Sequence, residues 1–120
     1  MSNAELIKMR KARKIADKRL KTARSHLKSN NVSLFYSSIS AALYGYISDK
    51  LSIDIAELTK DNIRTELLSK AVSEDTIIKL IETLDTCDFI RYAPSQDAMN
   101  ISDFYNATVE LISSVEKQIK

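Results

Sequence analysis

Turn-forming residues are nearly absent from this chain: its 120 residues include one glycine, Gly45, and one proline, Pro94. Glycine and proline supply the backbone conformations on which most tight turns depend, so a chain this poor in them has few turns. An all-β sandwich or a many-looped α/β enzyme needs turns at short intervals and is a poor match. A single glycine also excludes the phosphate-binding loop, the dinucleotide fingerprint and the nucleophile elbow, each of which needs more than one.

The rest of the composition is that of an ordinary folded domain, with 44% hydrophobic and 28% charged residues. One cysteine and one histidine exclude a disulfide framework and a zinc site of ordinary ligand number. Cys87 falls on an apolar helical stripe with acids beside it, which predicts a buried, inert thiol. His26 has no neighbouring pattern of nucleophile or carboxylate, which predicts an ordinary histidine on a helix surface or at a helix end. No catalytic, cofactor-binding or metal-binding residue is therefore predicted.

Charge divides the chain into a basic arm and an acidic body. Residues 1–28 carry ten basic and two acidic side chains, whereas the remaining 92 residues carry eight basic and 14 acidic ones. No stretch approaches the roughly 18 apolar residues that span a bilayer, and no signal peptide is visible. Residues 1–4 are interpreted as a remnant of cloning. On that interpretation the natural start of the protein has been removed, and the lack of a membrane segment describes this fragment and not the parent protein.

Hydrophobic periodicity predicts an all-α fold, a single bundle of about five helices. We expect N-caps at Ser33, Thr59 and Ser73, an irregular link over residues 52–58, and an end of the fourth helix at Pro94. The basic helix over residues 5–29 and the helical body over residues 30–120 should form one domain. The predicted helices cover residues 5–28, 33–51, 60–70, 74–92 and 102–119.

The first helix carries a narrow apolar seam that is rich in alanine and that every lysine and arginine of the segment avoids. A narrow seam of small residues suits one close partner helix. Because only a few residues separate it from the second helix, the two should form an antiparallel hairpin. The seam consists of Met9, Ala12, Ala16, Leu20, Ala23 and Leu27.

The other helices show inward-facing residues at helical spacing. In the second helix these are Phe35, Ile39, Ala42, Leu43, Tyr46 and Ile47. In the third they are Ile63, Leu67 and Leu68, and in the fourth Ile77, Leu80, Ile81, Leu84 and Cys87. In the fifth they are Phe104, Leu111, Val115 and Ile119.

Gly45 lies inside a strongly helical run, where it is about 1 kcal/mol less favourable than alanine. Close approach of another helix or an aromatic ring would explain it, and a partner-binding spot is the alternative. Tyr44 and Tyr46 point to different sides of the helix, so we expect one in the core and one exposed.

Helices three and four, joined by a short turn at residues 71–73, resemble a helix-turn-helix in outline. The second helix of that pair, residues 74–92, carries five acids against Lys79 and Arg91, and this charge repels phosphates. Nucleic acid is therefore an unfavoured partner. A small helical DNA-binding regulator is kept as the alternative to a docking domain.

The basic arm at the start of the chain favours a place next to a membrane. Lysine and arginine concentrate just cytoplasmic of membrane segments and are attracted to anionic lipid. The apolar face of the helix is alanine-rich and lacks the bulky residues of an in-plane membrane helix, so we expect a stalk whose first turns alone approach the lipid. A plain solvated helix face is the alternative. The candidate membrane-proximal residues are Lys8, Arg10, Lys11, Arg13 and Lys14.

Three segments carry a resemblance to a known family: ISAALYGYISDKL at residues 39–51, LTKDNI at 58–63 and CDFIRYAP at 87–94. In this order and spacing they resemble the C-terminal tail of BatD-type aerotolerance, or oxygen tolerance, membrane proteins. The basic arm fits as well, since a transmembrane helix precedes it in that family. The family often has tryptophan where Tyr44 stands.

The resemblance implies a protein with a large extracytoplasmic β-rich region, a membrane anchor and this small helical domain on the cytoplasmic side of the inner membrane. It also implies operon-encoded partners, namely von Willebrand A-domain proteins, TPR proteins and a MoxR-type ATPase. No catalytic residue carries over. We therefore expect a non-enzymatic docking or scaffold domain linked to aerotolerance or stress tolerance, without a cofactor. Its candidate contact surface comprises Tyr44, Gly45, Arg91 and Tyr92, together with the basic arm.

Overall fold

The computed structural model describes residues 2–92 and 101–120. Those residues form five α-helices and no strand, which confirms the predicted all-α bundle. The link between the second and third helices contains a short 3-10 turn at Ile55–Glu57. The helices are α1 at Asn3–Lys28, α2 at Val32–Leu51, α3 at Lys60–Ser69, α4 at Glu74–Tyr92 and α5 at Ile101–Gln118.

The predicted hairpin is confirmed, since α1 and α2 pack closely against each other. A three-residue link at 29–31 joins the two helices, and Asn30 in it adopts a φ of 59°. Asparagine tolerates this left-handed conformation better than most residues do, so the chain can reverse there. The alanines of the predicted seam are buried between the helices, where their small side chains allow a close approach along most of α2.

The start of α2 differs from the prediction. Asn31, not Ser33, is the N-cap, and its side chain accepts a hydrogen bond from the Leu34 amide at 3.1 Å. Asparagine and serine cap helices about equally well, so the asparagine two residues earlier takes the position and lengthens the helix. Thr59 caps α3 as predicted. The hydroxyl of Ser73 accepts a hydrogen bond from an amide in the first turn of α4, which also agrees with the prediction.

The first residues of the chain belong to α1. The Glu5 amide donates to the Ser2 hydroxyl at 3.1 Å, and the Ser2 amide donates to the Glu5 carboxylate at 3.2 Å. The hydrogen bond that the Ser2 amide donates to the Glu5 carboxylate, followed by the one from the Ser2 hydroxyl, lowers the pKa of Glu5. Residues 2–4, which belong to the segment interpreted as a remnant of cloning, thus start the helix with a complete capping box, ahead of the predicted start at Glu5.

The remaining helices pack on the hairpin in alternating directions. At one end of α2 the rings of Phe35 and Phe104 lie 6.4 Å apart, and at the other end Lys50 lies 3.1 Å from Glu116. Helices α2 and α5 therefore run in the same direction. Helix α4 runs in the opposite direction to α5. The amide of Ser73, just before the start of α4, donates a hydrogen bond to the Gln118 side chain at the end of α5. The short helix α3 packs on α2 and α4.

All but one of the residues predicted to face inward are buried or half-buried. Leu68 is 44% exposed, because it lies about 100° around α3 from Leu67, the residue that faces the bundle. Two buried residues of α5, Ile112 and Thr108, were not among the predicted core. The hydroxyl of Thr108 donates to the Phe104 carbonyl, which lets a polar side chain lie in the core. None of the helices in residues 2–92 and 101–120 is long and apolar enough to cross a bilayer.

Candidate functional site

An open groove of about 540 Å³ lies between α2, α4 and the 3-10 turn, and we call it the α2–α4 groove. Small side chains of α2, namely Ser33, Ser37, Ser40 and Ala41, form its floor. Their spacing of three and four residues places them on one face of the helix. The groove is otherwise mostly apolar, and it is bounded by Val32, Tyr36 and Tyr44 of α2, Ile55 of the 3-10 turn, and Cys87 and Ile90 of α4.

Tyr44 is half-buried in the wall of this groove, next to a group of charges. Lys60, the first residue of α3, lies 2.6 Å from a carboxylate oxygen of Asp85 and 2.9 Å from one of Asp88. Burial raises the pKa of the Tyr44 hydroxyl, and the charge of Asp88 raises it further. Tyr44 therefore stays neutral at physiological pH and offers a ring and a hydroxyl to anything that enters the groove.

The neighbouring tyrosine has a structural role. Tyr46 is buried, and its hydroxyl donates a hydrogen bond to the Glu116 carboxylate of α5. Burial, followed by this hydrogen bond, raises the pKa of Tyr46. The prediction that one of the two tyrosines lies in the core is confirmed, and the core residue is Tyr46.

Gly45 makes room for an arginine. The guanidinium of Arg19 lies over it, and a Cβ at Gly45 would be 3.0 Å from the Arg19 Cζ. The expected approach of another helix is therefore made by a side chain of α1, and the group that closes over the glycine is a guanidinium and not an aromatic ring. Gly45 is itself buried, so it supports the candidate surface from beneath. Arg19 also lines the α2–α4 groove, and sequence reasoning did not predict this. The only sequence signal for it is that Arg19 lies next to the alanine seam of α1.

Replacing Gly45 by alanine should leave the free energy of unfolding unchanged or raise it by up to about 1 kcal/mol. The new Cβ would collide only with the far end of the Arg19 side chain, which is exposed and can move into solvent. Denaturant titration of wild type and Gly45→Ala measures the change. In an Arg19→Ala background the same replacement should give the full gain. A loss of more than about 1 kcal/mol in that background would show that the glycine makes room for something other than Arg19.

Arg91 and Tyr92, the other half of the candidate contact surface, form the end of α4. Their backbone follows Ile90, which lines the groove. Their side chains lie outside the described residues, as does Pro94 with its predicted helix stop.

The candidate basic arm divides into two kinds of residue. Lys8, Arg10, Lys11 and Lys14 are exposed. Arg13 is half-buried and donates to the Ser113 hydroxyl of α5 at 3.0 Å. It also pairs with Asp17 at 3.0 Å. Arg13 therefore ties α1 to α5, and the other four cations face solvent.

The residues considered for chemistry occupy structural positions. Cys87 is buried, with 3% of its surface exposed, as predicted. His26 is half-buried in the last turn of α1, which agrees with a helix-end histidine. In the described part of the chain, no three histidine, cysteine, aspartate or glutamate side chains cluster closely enough to hold a metal ion.

The described side chains of the α3–α4 pair do not form a basic surface. Four acids of α4 are exposed: Glu74, Asp75, Glu82 and Asp85. A helix with this charge would be repelled by a phosphate backbone, as the sequence predicted. The arrangement instead offers the α2–α4 groove and the exposed cations of α1 as surfaces for recognition. No family model, curated protein or solved structure matches this chain.

Proposed function

We propose that this chain is a non-enzymatic docking domain of a membrane-anchored protein, placed on the cytoplasmic side of the inner membrane and linked to aerotolerance or stress tolerance. The observation that carries the docking role is the α2–α4 groove, which is open, mostly apolar and walled by Tyr44. The membrane setting and the link to aerotolerance rest on the resemblance to BatD-type proteins and on the basic arm.

The groove suits a helical segment of a protein partner. Its floor of three serines and one alanine lets the backbone of another helix approach closely, as small residues do wherever helices pack tightly. Its walls offer the ring of Tyr44 and the side chain of Ile90 to apolar side chains of that segment.

The positive charge of Arg19 in the groove adds a second requirement for the helical segment that binds there. Arg19 lines the groove, and among residues 2–92 and 101–120 no ion pair includes it. A carboxylate brought by the partner would give this guanidinium the charge-assisted hydrogen bonds that it favours. We therefore expect an amphipathic helix with apolar residues on one face and an acidic residue at its edge. The candidates to supply it are the von Willebrand A-domain proteins, TPR proteins and MoxR-type ATPase implied by the resemblance.

Replacing Tyr44 by alanine should weaken binding to the true partner by about tenfold or more, as the loss of a central aromatic contact commonly does. The test is a pull-down followed by titration of the full 120-residue chain against each purified partner class. Arg91→Ala serves as a second variant at the candidate surface. Ser37→Tyr should also reduce binding, because a large side chain on the floor would fill the groove.

The matched control is Leu34→Ala, which removes an exposed apolar side chain of the same helix that does not line the groove. It should bind like wild type. Equal affinities of Tyr44→Ala and Leu34→Ala for every partner class that binds would remove the groove from the proposal. Failure of all three classes to bind the wild-type domain would overturn the partner assignment.

A further inference from the structure

Helix α1 presents a row of exposed cations along nearly its whole length, beyond the candidate arm at its start. At 100° per residue the members of this row fall within an arc of about 140° on the side opposite the alanine seam. From first to last they span about 27 Å of helix axis. We call them the cation row: Arg10, Lys11, Lys14, Lys18, Lys21, Arg24 and Lys28.

The fold leaves the cation row without compensation. In residues 2–92 and 101–120 no ion pair includes any of its members. Asp17, the one acid on this side of α1, is paired with Arg13. Within the row, Lys14 lies four residues from both Arg10 and Lys18, and like charges at this spacing repel each other and destabilise a helix. A negatively charged surface along the row would offset that repulsion.

Two exposed apolar side chains lie just before the row. Ile7 is 49% exposed and Leu6 is 37% exposed. Ile7 lies one turn before Lys11 on the same face of α1. Such side chains can enter the headgroup region of a bilayer, whereas they gain nothing from a phosphate backbone. Residues 8–28 contain no Phe, Tyr, Trp, Asn or Gln to stack on bases or read them, so lipid is favoured over nucleic acid.

We propose that α1 lies flat on an anionic bilayer, with the whole cation row against the lipid headgroups. This inference rests on the membrane setting of the proposed function, and it replaces the stalk expected from the sequence. In an upright helix only the first turns lie within the screening length of about 8 Å, so Lys28 at the far end would feel no lipid charge. In a flat helix the cation row faces the headgroups along its whole length, so the cations at both ends of α1 come within the screening length of the lipid charge.

The test compares the two ends of the row. Binding of the full chain is measured to vesicles of phosphatidylcholine with about 30% phosphatidylserine and to phosphatidylcholine alone, at several salt concentrations. One variant replaces Arg10, Lys11 and Lys14 by glutamine, and the other replaces Lys21, Arg24 and Lys28. Glutamine keeps helix propensity, and circular dichroism verifies folding. The matched control replaces Arg64, Lys79 and Lys117, three exposed cations on other helices.

Both α1 variants should bind the anionic vesicles about 100-fold more weakly than wild type, since each cation near the surface contributes comparably. The control variant should bind like wild type, and vesicles of phosphatidylcholine alone should bind none of the proteins tightly. Wild-type affinity in the Lys21, Arg24 and Lys28 variant would overturn the flat orientation in favour of the stalk.

Two other results would also overturn the inference. One is equal binding of wild type to both kinds of vesicle. The other is tighter binding to duplex DNA than to anionic vesicles with the same dependence on the row, which would assign the row to nucleic acid. The groove variants separate these failures from the proposed function: if Tyr44→Ala still weakens partner binding, docking through the groove stands and only the role of α1 falls.

Discussion

Replacing Phe35 by alanine should lower the free energy of unfolding by about 3–5 kcal/mol, the largest effect expected of any single side chain in this domain. Phe35 is completely buried. Its ring meets that of Tyr36 edge-on at a centroid distance of 5.0 Å, and that of Phe104 lies 6.4 Å away. The truncation would leave a cavity at the point where α2 meets α5, and this contact cannot close up without moving a helix.

Urea titration followed by circular dichroism measures this loss, and the neighbouring Leu34→Ala is the control. Leu34 is 46% exposed, so its truncation should change the free energy of unfolding by no more than about 0.5 kcal/mol. A loss below about 1.5 kcal/mol for Phe35→Ala would contradict the packing described for the aromatic cluster.

Removing the Glu116 carboxylate should lower the free energy of unfolding by about 2 kcal/mol in Glu116→Ala. The carboxylate accepts hydrogen bonds from the buried Tyr46 hydroxyl and from the Lys50 ammonium, the latter at 3.1 Å. The Lys50 side chain is only 13% exposed, so its charge would lose its partner where water reaches poorly. The expected loss of stability is smaller than for a fully buried ion pair, because a third of the Glu116 side chain is exposed to water.

The contribution of Glu116 should depend on pH in a defined direction. Burial alone would raise the pKa of this carboxyl group, but the hydrogen bonds from Tyr46 and Lys50 together hold it below its ordinary value of 4.5. The unfolded chain therefore binds a proton more readily than the folded one. The stabilisation is complete above pH 4.5 and is lost as the pH falls through the lowered pKa.

Unfolding curves recorded between about pH 7 and pH 3 should therefore show a steeper loss of stability in wild type than in Glu116→Gln, which has no carboxyl group to protonate. Glu110→Gln, which changes an exposed glutamate of the same helix, is the control and should follow wild type. Parallel curves for wild type and Glu116→Gln would show that the hydrogen bonds from Tyr46 and Lys50 do not lower the pKa of Glu116 in the folded state.

The features that sequence patterns could predict are local ones. The spacing of the seam alanines along α1 indicates both the buried face and the need for one close partner, and the short link then leaves only a hairpin. Thr59 and Ser73 were recognisable as caps because capping depends on residues within one turn. The Asn31 cap was missed because two good capping residues stand close together, and local preference does not choose between them.

The features that the sequence did not indicate depend on residues far apart in the chain. Arg13 was counted with the free cations of the arm, but its hydrogen bond to Ser113 joins positions 100 residues apart. The position of the Arg19 guanidinium over Gly45 likewise depends on how α1 and α2 are aligned. The groove is lined by residues of α1, α2, the 3-10 turn and α4, which are far apart in the chain. The resemblance could therefore suggest Tyr44 as a contact residue, but sequence patterns could not place it in a groove.

The domain is expected to carry two surfaces that act independently, the α2–α4 groove for a protein partner and the cation row for anionic lipid. The most direct measurement titrates Tyr44→Ala and the Lys21, Arg24 and Lys28 variant against both the partner and anionic vesicles. Tyr44→Ala should lose affinity for the partner alone, and the cation-row variant should lose affinity for the vesicles alone. A folded variant that loses both affinities, or neither, would contradict the separation of the two surfaces.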